Sequence, residues 1–326
     1  MKHALVAGGA GFIGSHLCDL LLDRGYRVTA LDSLITGRIE NLKDAQDRGL
    51  KLIEADITKP LDLEGALANH FDEIYNLASP ASPVDFSRMP TFILQTAAIG
   101  HRQLLDLARQ QKARIFFAST SEVYGDPLVH PQNESYFGNV NPIGHRSCYD
   151  EAKRFAEAMT YAYRREFGLD VRVGRIFNTY GPRMRPDDGR IIPNFFMQGL
   201  QSQALSVYGD GSQTRSFCYV SDLVEAIFLL TSSSESLPVN IGNPTEHTVM
   251  QIANEVNRLT ANKTAIRSLP LPENDPKQRK PDISKALRVF GWKPKVDLAQ
   301  GLEICHEYFK RELAQAGQIK VPVLGD

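Results

Sequence analysis

Tyr149 and Lys153 stand four positions apart, so on a helix they share one face and the Lys153 ammonium can lie beside the Tyr149 phenol. A free tyrosine ionises near pH ~10 and is a poor base at neutrality. A neighbouring cation favours the phenolate and lowers that value, which would equip Tyr149 to take a proton from a hydroxyl group. By themselves the two residues describe an ordinary exposed pair. Two other segments change that reading: a glycine-rich turn, Gly8-Gly9-Ala10-Gly11-Phe12-Ile13-Gly14, and Ser119-Thr120-Ser121-Glu122-Val123-Tyr124-Gly125.

Gly9, Gly11 and Gly14 follow a short apolar run and open a helical pattern, the setting in which this spacing binds a dinucleotide. Glycines are needed where the backbone turns tightly and approaches a pyrophosphate, whose charge suits a helix N-terminus. Gly8, Gly11, Phe12, Ile13 and Gly14 are the predicted contacts. Asp32 lies 18 residues past Gly14, at the end of the next strand. A carboxylate there can bind both ribose hydroxyls and would repel a 2′-phosphate, which favours NAD over NADP. Arg38 is the nearby residue that could argue the other way. Asp56 and Ile57, closing the third strand, are predicted at the adenine edge, although Asp56 could also simply cap the turn that follows. An oxidised nicotinamide is positive and would add to the effect of Lys153 on Tyr149.

The elements that must position these residues are readable as a pattern. Ala4–Ala7, Arg27–Leu31, Lys51–Ala55, Glu73–Leu77, Arg114–Ala118 and Val171–Ile176 read as strands, with helical patterns such as Gly14–Arg24, Phe92–Gln110 and Tyr149–Phe167 between them. Such alternation predicts an α/β fold, a doubly wound parallel sheet of the Rossmann type. Past residue 180, Pro182, Pro186, Gly189 and Pro193 mark an irregular connection, followed by short strands and helices such as Ser206–Gly209, Val239–Gly242 and Val249–Leu259. The reading is an NAD-binding domain over 1–180, with segments returning to it near 215–245, and a smaller substrate lobe over 181–326. The tail beyond Leu313 lacks helical amphipathicity and is expected to be loosely held.

Composition narrows the function classes. The chain has 326 residues, 42% hydrophobic and 23% charged, with net charge −1, which gives no support for a nucleic-acid or membrane-surface partner. No apolar run approaches a bilayer span, and the N-terminal stretch reads as a buried strand rather than a signal peptide. The four cysteines, Cys18, Cys148, Cys218 and Cys305, are scattered. They indicate neither a metal site nor a disulfide framework and fit a reducing cytosol.

Taken together, the glycine turn, Asp32, the Thr120–Glu122 segment and the Tyr149/Lys153 pair resemble the extended short-chain dehydrogenase/reductase family, over almost the whole chain. Leu77–Pro83, Asn141–Gly144, Ile176–Met184 and Gln278–Ile283 resemble more narrowly the UDP-glucuronate decarboxylases of that family. The resemblance implies a homodimer that binds UDP-glucuronate and NAD. It implies catalytic roles for Thr120, Glu122, Tyr149, Lys153 and Arg279. It further implies that Pro80 walls the sugar, that Arg215 with Gln213 contacts the diphosphate, and that Asn178, Arg190 and Tyr208 contact the nucleotide. Glu122 and Arg279 would surround the sugar carboxylate, with Glu122 either offset by Arg279 or protonated. The chain departs from the decarboxylase pattern where Ala97 replaces an asparagine, Gln95 a lysine, and Ser33 a second asparagine. Epimerisation at the same sugar carbon, or a binding protein that has lost turnover, remain alternatives. A dehydratase would be expected to carry Asp-Glu where this chain has Ser121-Glu122.

Overall fold

The computed structural model describes residues 1–62, 64–270 and 279–317. Six parallel strands arise where the apolar runs predicted them: β1 (His3–Ala7), β2 (Arg27–Asp32), β3 (Lys51–Glu54), β4 (Glu73–Asn76), β5 (Arg114–Thr120) and β6 (Val171–Ile176). A short strand, Val239–Ile241, completes a seven-stranded sheet at its far edge beside β6. From there the order runs β6, β5, β4, β1, β2, β3. Every position of β1 and β4 is buried, as expected for a parallel sheet covered on both faces.

That order fixes where a ligand can bind. Chain progression from β1 goes one way to β2 and β3 and the other way to β4, β5 and β6. The crevice at the carboxyl ends of β1 and β4 is therefore the topological switch point, where open α/β sheets take their ligands. Gly8 leaves β1 there, and Leu77 leaves β4 beside it. A Cβ at Gly8 would lie 2.8 Å from the Ala78 nitrogen, and its φ of +79° also selects glycine.

The helix Ser147–Phe167 carries Tyr149 and Lys153 and is tied to the sheet by polar contacts. The Lys153 ammonium donates to the Ala118 carbonyl at 2.9 Å. Glu157 accepts from Ser119 at 2.5 Å and from the Arg175 guanidinium at 3.0 and 2.8 Å. The single helix predicted over Phe92–Gln110 is instead three segments: Pro90–Gln95, one π turn over Thr96–Gly100, and His101–Gln111. Periodicity does not register the extra residue of such a turn. Gly100 is packed so closely that a Cβ would meet Ile57 at 2.5 Å.

Beyond residue 180, Ser206–Tyr208 pairs with Arg267–Leu269, and Thr214–Ser216 with Glu246–Thr248. Helices Ile191–Leu200, Val249–Leu259 and Leu298–Ala316 pack with them. One hydrophobic cluster runs from Ala4 and Val6 in β1 to Phe195, Ile252 and Phe309 in this lobe. Helix Val220–Ser232 returns to the sheet and packs on helix Phe12–Asp23. The tail predicted to lose helical character after Leu313 is helical to Ala316, because Leu313 still packs against the core. Residues 318–326 lie outside the described residues, as do Lys277 and Gln278 beside Arg279.

Candidate functional site

Two adjoining cavities open at the switch point. The larger, about 310 Å³, is lined by the glycine turn, by Thr120, Glu122, Tyr149 and Lys153, and by Arg279. The smaller, about 70 Å³, is lined by Asp32, Asp56, Ile57 and Pro80, with Gly8 and Gly11 shared between the two. Asn178, Arg190, Tyr208, Gln213 and Arg215 all line the larger cavity. Pro80 lines the smaller cavity, while its neighbours Ser79, Ala81, Ser82 and Pro83 line the larger one, so this segment borders both.

The glycine turn is shaped for a phosphate. A Cβ at Gly14 would lie 2.0 Å from the Gly8 carbonyl oxygen, so only glycine brings the helix start this close to β1. No side chain caps the helix that begins at Phe12, which leaves the N–H groups of its first turn for an anion. Asp32 braces the turn, accepting from the Ala10 N–H and the Leu34 N–H, both at 2.9 Å. Its carboxyl is pushed up by burial and pulled back by those backbone donors. Arg38, the residue that could have favoured a 2′-phosphate, donates instead to Glu312 at 2.5 Å. Asp56 caps the next turn by accepting from the Thr58 N–H at 2.8 Å while also facing the smaller cavity. The residues present thus fit a dinucleotide.

Tyr149 differs from the simplest expectation. Burial pushes its phenol up to about 12, with a Thr120 hydrogen bond and the Arg190 charge pulling the other way. The Lys153 nitrogen lies 5.6 Å from the ring centroid and points to Ala118. Burial lowers Lys153 to about 8. Desolvation wins here because both groups are buried, and the charged form of each is the one penalised. Phe86 stacks on the Tyr149 ring, with centroids 4.9 Å apart and planes at 20°.

Glu122 is buried, and Arg279 grips it with both terminal nitrogens, the second at 3.0 Å. Arg146 donates to the same carboxylate at 2.6 Å. Burial favours the neutral acid, but the charges of Arg146 and Arg279 outweigh it and hold Glu122 at about 2. The two guanidiniums thus favour the ionised form of Glu122, in line with an offset by Arg279. The three side chains together carry one positive charge. The Arg279 Nε is buried with no hydrogen-bond partner among the described residues. Sequence reasoning missed Arg146. Its position three before Tyr149 puts it on the same helix face, which was the available signal.

Further pairs close the larger cavity. Arg185 holds Asp85 through contacts of 3.1 and 3.0 Å, and Arg190 holds Asp188 at 2.5 and 2.8 Å. Ser82 donates to the Asp188 carbonyl. The Arg185–Asp85 and Ser82–Asp188 contacts join the start of the Pro83–Arg88 helix to the loop after Tyr180 across 100 residues of sequence or more. Ala97 lies between two apolar clusters, one with Phe86 and Tyr149, the other with Phe117 and Ala156. An alanine suits that packing and brings no polar atom to it.

The family profile described as "GDP-mannose 4,6 dehydratase" matches residues 5–305. UDP-glucuronic acid decarboxylase 1 of Danio rerio is 50% identical over 323 residues, 98% of this chain and 76% of the relative. UDP-glucuronic acid decarboxylase 6 of Arabidopsis thaliana is 50% identical over 311 residues, 95% of this chain and 89% of the relative. The chain belongs to the UDP-glucuronic acid decarboxylase family. Among solved structures, this decarboxylase-family fold superposes on UDP-glucose 4-epimerase of Thermotoga maritima with TM-score 0.89 and 31% identity, covering 96% of this chain and 100% of that one. It also superposes on UDP-glucuronic acid 4-epimerase of Bacillus cereus in complex with UDP-glucuronic acid and NAD. There the TM-score is 0.86 and the identity 28%, covering 95% of this chain and 100% of the other.

Proposed function

We propose that the chain is an NAD-dependent carboxy-lyase that converts UDP-glucuronate to UDP-xylose and carbon dioxide through a 4-keto sugar. The observation that carries this reading is the cationic cluster of Arg146, Glu122 and Arg279 in the same cavity as Tyr149. Its two guanidiniums, set against the Glu122 carboxylate and the nearby Asp150 carboxyl, would receive a sugar carboxylate close to the base that takes the proton of the carbon 4 hydroxyl. The decarboxylase relatives and the neighbour holding UDP-glucuronic acid and NAD agree with it.

The glycine turn, Asp32, Asp56 and Ile57 would hold the dinucleotide, and Tyr149 and Lys153 would face its nicotinamide ribose. Bound NAD would supply a hydride acceptor that later returns the hydride, and its positive ring would add to Lys153 in favouring the phenolate. Tyr149 takes the proton of the hydroxyl on carbon 4, with the Thr120 hydroxyl beside it sharing the reacting oxygen. The resulting ketone is β to the carboxylate, so the electrons of the breaking carbon–carbon bond delocalise into an enolate. One proton is then taken up at carbon 5, and Tyr149 returns its proton as the carbon 4 hydroxyl is restored. Arg279 and Arg146 hold the carboxylate until it leaves. Arg215 and Gln213 bind the diphosphate, with Asn178, Arg190 and Tyr208 toward the nucleotide.

The deciding experiment supplies UDP-glucuronate and NAD and measures carbon dioxide release with product mass. A product of unchanged mass would make the chain a carbon 4 epimerase, the activity named for its structural neighbours. Tight NAD binding without turnover of any UDP-sugar would make it a binding protein.

The enzyme would act as a cytosolic homodimer. Leu94, Ile99 and Phe155 are large apolar side chains left exposed on the segments around the catalytic helix, where pairing with a second copy would cover them. The four cysteines are free and buried, in keeping with a reducing compartment. Among the described residues, no helix is long and apolar enough to cross a membrane. A monomeric mass at micromolar concentration would contradict the dimer.

A further inference from the structure

His101 is fully buried, belongs to neither cavity, and has no part in the chemistry described above. It nevertheless makes two hydrogen bonds that reach both halves of the site. Its Nδ1 lies 2.9 Å from the Asn76 amide nitrogen, and its Nε2 lies 2.8 Å from the Thr160 hydroxyl.

The partners determine which nitrogen carries the proton. The Ala78 N–H can only donate, and it does so to the Asn76 side-chain oxygen at 3.1 Å. The Asn76 amide therefore turns its nitrogen toward His101, and Nδ1 must accept. Thr160 spends its hydroxyl proton on the Ala156 carbonyl at 2.8 Å, so it accepts from Nε2–H. Each bond in this run has a defined donor and acceptor, and a buried network so ordered favours a single geometry. An imidazolium could not make the Asn76 bond, because two donors would face each other. Burial, with the Lys153 charge second, lowers His101 to about 3, so the required neutral form is the one present at working pH.

The two ends of the run are what give it meaning. Asn76 is the last residue of β4 and pairs with Ala7 of β1. It holds the Leu77–Ala78 turn, against which Gly8 is packed too tightly for any Cβ. Thr160 and Ala156 belong to the helix that carries Tyr149 and Lys153. Between these ends, the His101 ring packs on Phe117 with centroids 4.4 Å apart, and the Lys153 ammonium lies 5.1 Å from the same ring. The π turn immediately before His101 is the local irregularity that sets its register, and such turns recur at functional sites.

We propose that His101 is a positioning residue that fixes the catalytic helix relative to the phosphate-binding turn, and so sets the placement of Tyr149 and Lys153 against the bound dinucleotide. The inference rests on the reading of the glycine turn and Tyr149 given above. It does not depend on which UDP-sugar is turned over.

The test uses His101→Phe, which keeps the ring packing and removes both polar atoms, and Thr160→Val, a milder change that removes the hydroxyl accepting from Nε2–H together with its own bond to the Ala156 carbonyl. Misplacement of reacting groups by a fraction of an ångström lowers kcat steeply. Each variant should lose about tenfold in kcat with the KM for the UDP-sugar within about twofold, and the double variant should lose about as much as either alone. The isotope effect from deuterium at carbon 4 should rise, and NAD should dissociate more readily by calorimetry. Nitrogen-15 NMR of the wild type should show the Nε2–H tautomer with no titration between pH 5 and 9, stated as the expectation for a buried neutral imidazole. A shift in melting temperature with unchanged kcat, isotope effect and NAD affinity would reduce His101 to a packing residue and overturn the proposal. So would strictly additive losses, or an Nδ1–H tautomer. If the wild type fails to release carbon dioxide from UDP-glucuronate, the functional reading fails instead. The NAD affinity and NMR results still decide the role of His101.

Discussion

Replacing Arg279 by alanine removes one of two guanidiniums that keep a buried carboxylate charged. Glu122 sits near 2 because Arg146 and Arg279 together overcome its desolvation. Breaking a buried ion pair by deleting one partner costs about 3–5 kcal/mol. Here Arg146 stays in place at 2.6 Å, so a loss nearer ~2–3 kcal/mol is expected. For a protein of 326 residues that lowers the melting temperature by roughly 3–4 °C. The catalytic loss should be larger, because on the proposed reading Arg279 is a charged donor to the sugar carboxylate as well as a partner of Glu122. A loss of about 10²–10³ in kcat is the scale for one such donor. UDP affinity should change by less than about threefold, since on the proposed reading Arg215 and Gln213 hold the diphosphate and Arg279 faces the sugar carboxylate. Release of labelled carbon dioxide gives the first quantity, and calorimetric titration with UDP the second. Arg279→Lys should recover stability better than activity, because an ammonium cannot reproduce the two-nitrogen grip. Equal losses in kcat and UDP affinity would refute the assignment and leave Arg279 a nucleotide contact.

Tyr149→Phe should keep NAD binding and lose about 10²–10⁴ in turnover; near-normal carbon dioxide release would remove Tyr149 as the base. The pH dependence of stability should carry the signature of His101. Its value falls from 6.5 in the open chain to about 3 when folded, so the unfolded chain binds the proton first. Stability present above pH 6.5 is therefore lost as pH falls toward 3. Glu122 acts in the same direction between 4.5 and about 2, while Asp150, raised to about 7 by burial and by Glu122, acts oppositely between 7 and 3.8. The stability difference between wild type and His101→Phe isolates the histidine, and chemical denaturation should find it shrinking from pH 7 to pH 4. A difference independent of pH would count against this. If the proposed dimer forms, Phe155→Glu, at a half-exposed position, should yield a monomer by sedimentation while leaving the fold's circular dichroism intact; a dimeric mass for the variant would move the interface elsewhere.

Much of the molecule was determined by the sequence alone, and the reason is locality. The strand runs and the helix around Tyr149 appear within a few residues of their predicted limits, since period and burial are written into consecutive side chains. The glycine turn was legible because each glycine meets a constraint within its own strand–turn–helix unit, as the contact of Gly14 with Gly8 illustrates. Asp32, Tyr149 and Lys153 were readable by spacing for the same reason.

What only the tertiary structure decided involves partners far apart in the chain. The ionisation of Glu122 depends on Arg279, 157 residues away. Neither residue type by itself tells whether the acid is neutral or charged. Arg38 could have met a phosphate until Glu312 claimed it across 274 residues. The high value of Tyr149 follows from its burial, which the Tyr149/Lys153 spacing could not convey. His101 gains its place from Asn76 and Thr160, on a strand end and a helix that meet only when the sheet is assembled. Spacing along one helix or strand reports which groups are neighbours in sequence. Charge state and orientation are set by what the fold brings in from elsewhere, because electrostatic and hydrogen-bond energies depend on distance in space and on the exclusion of water.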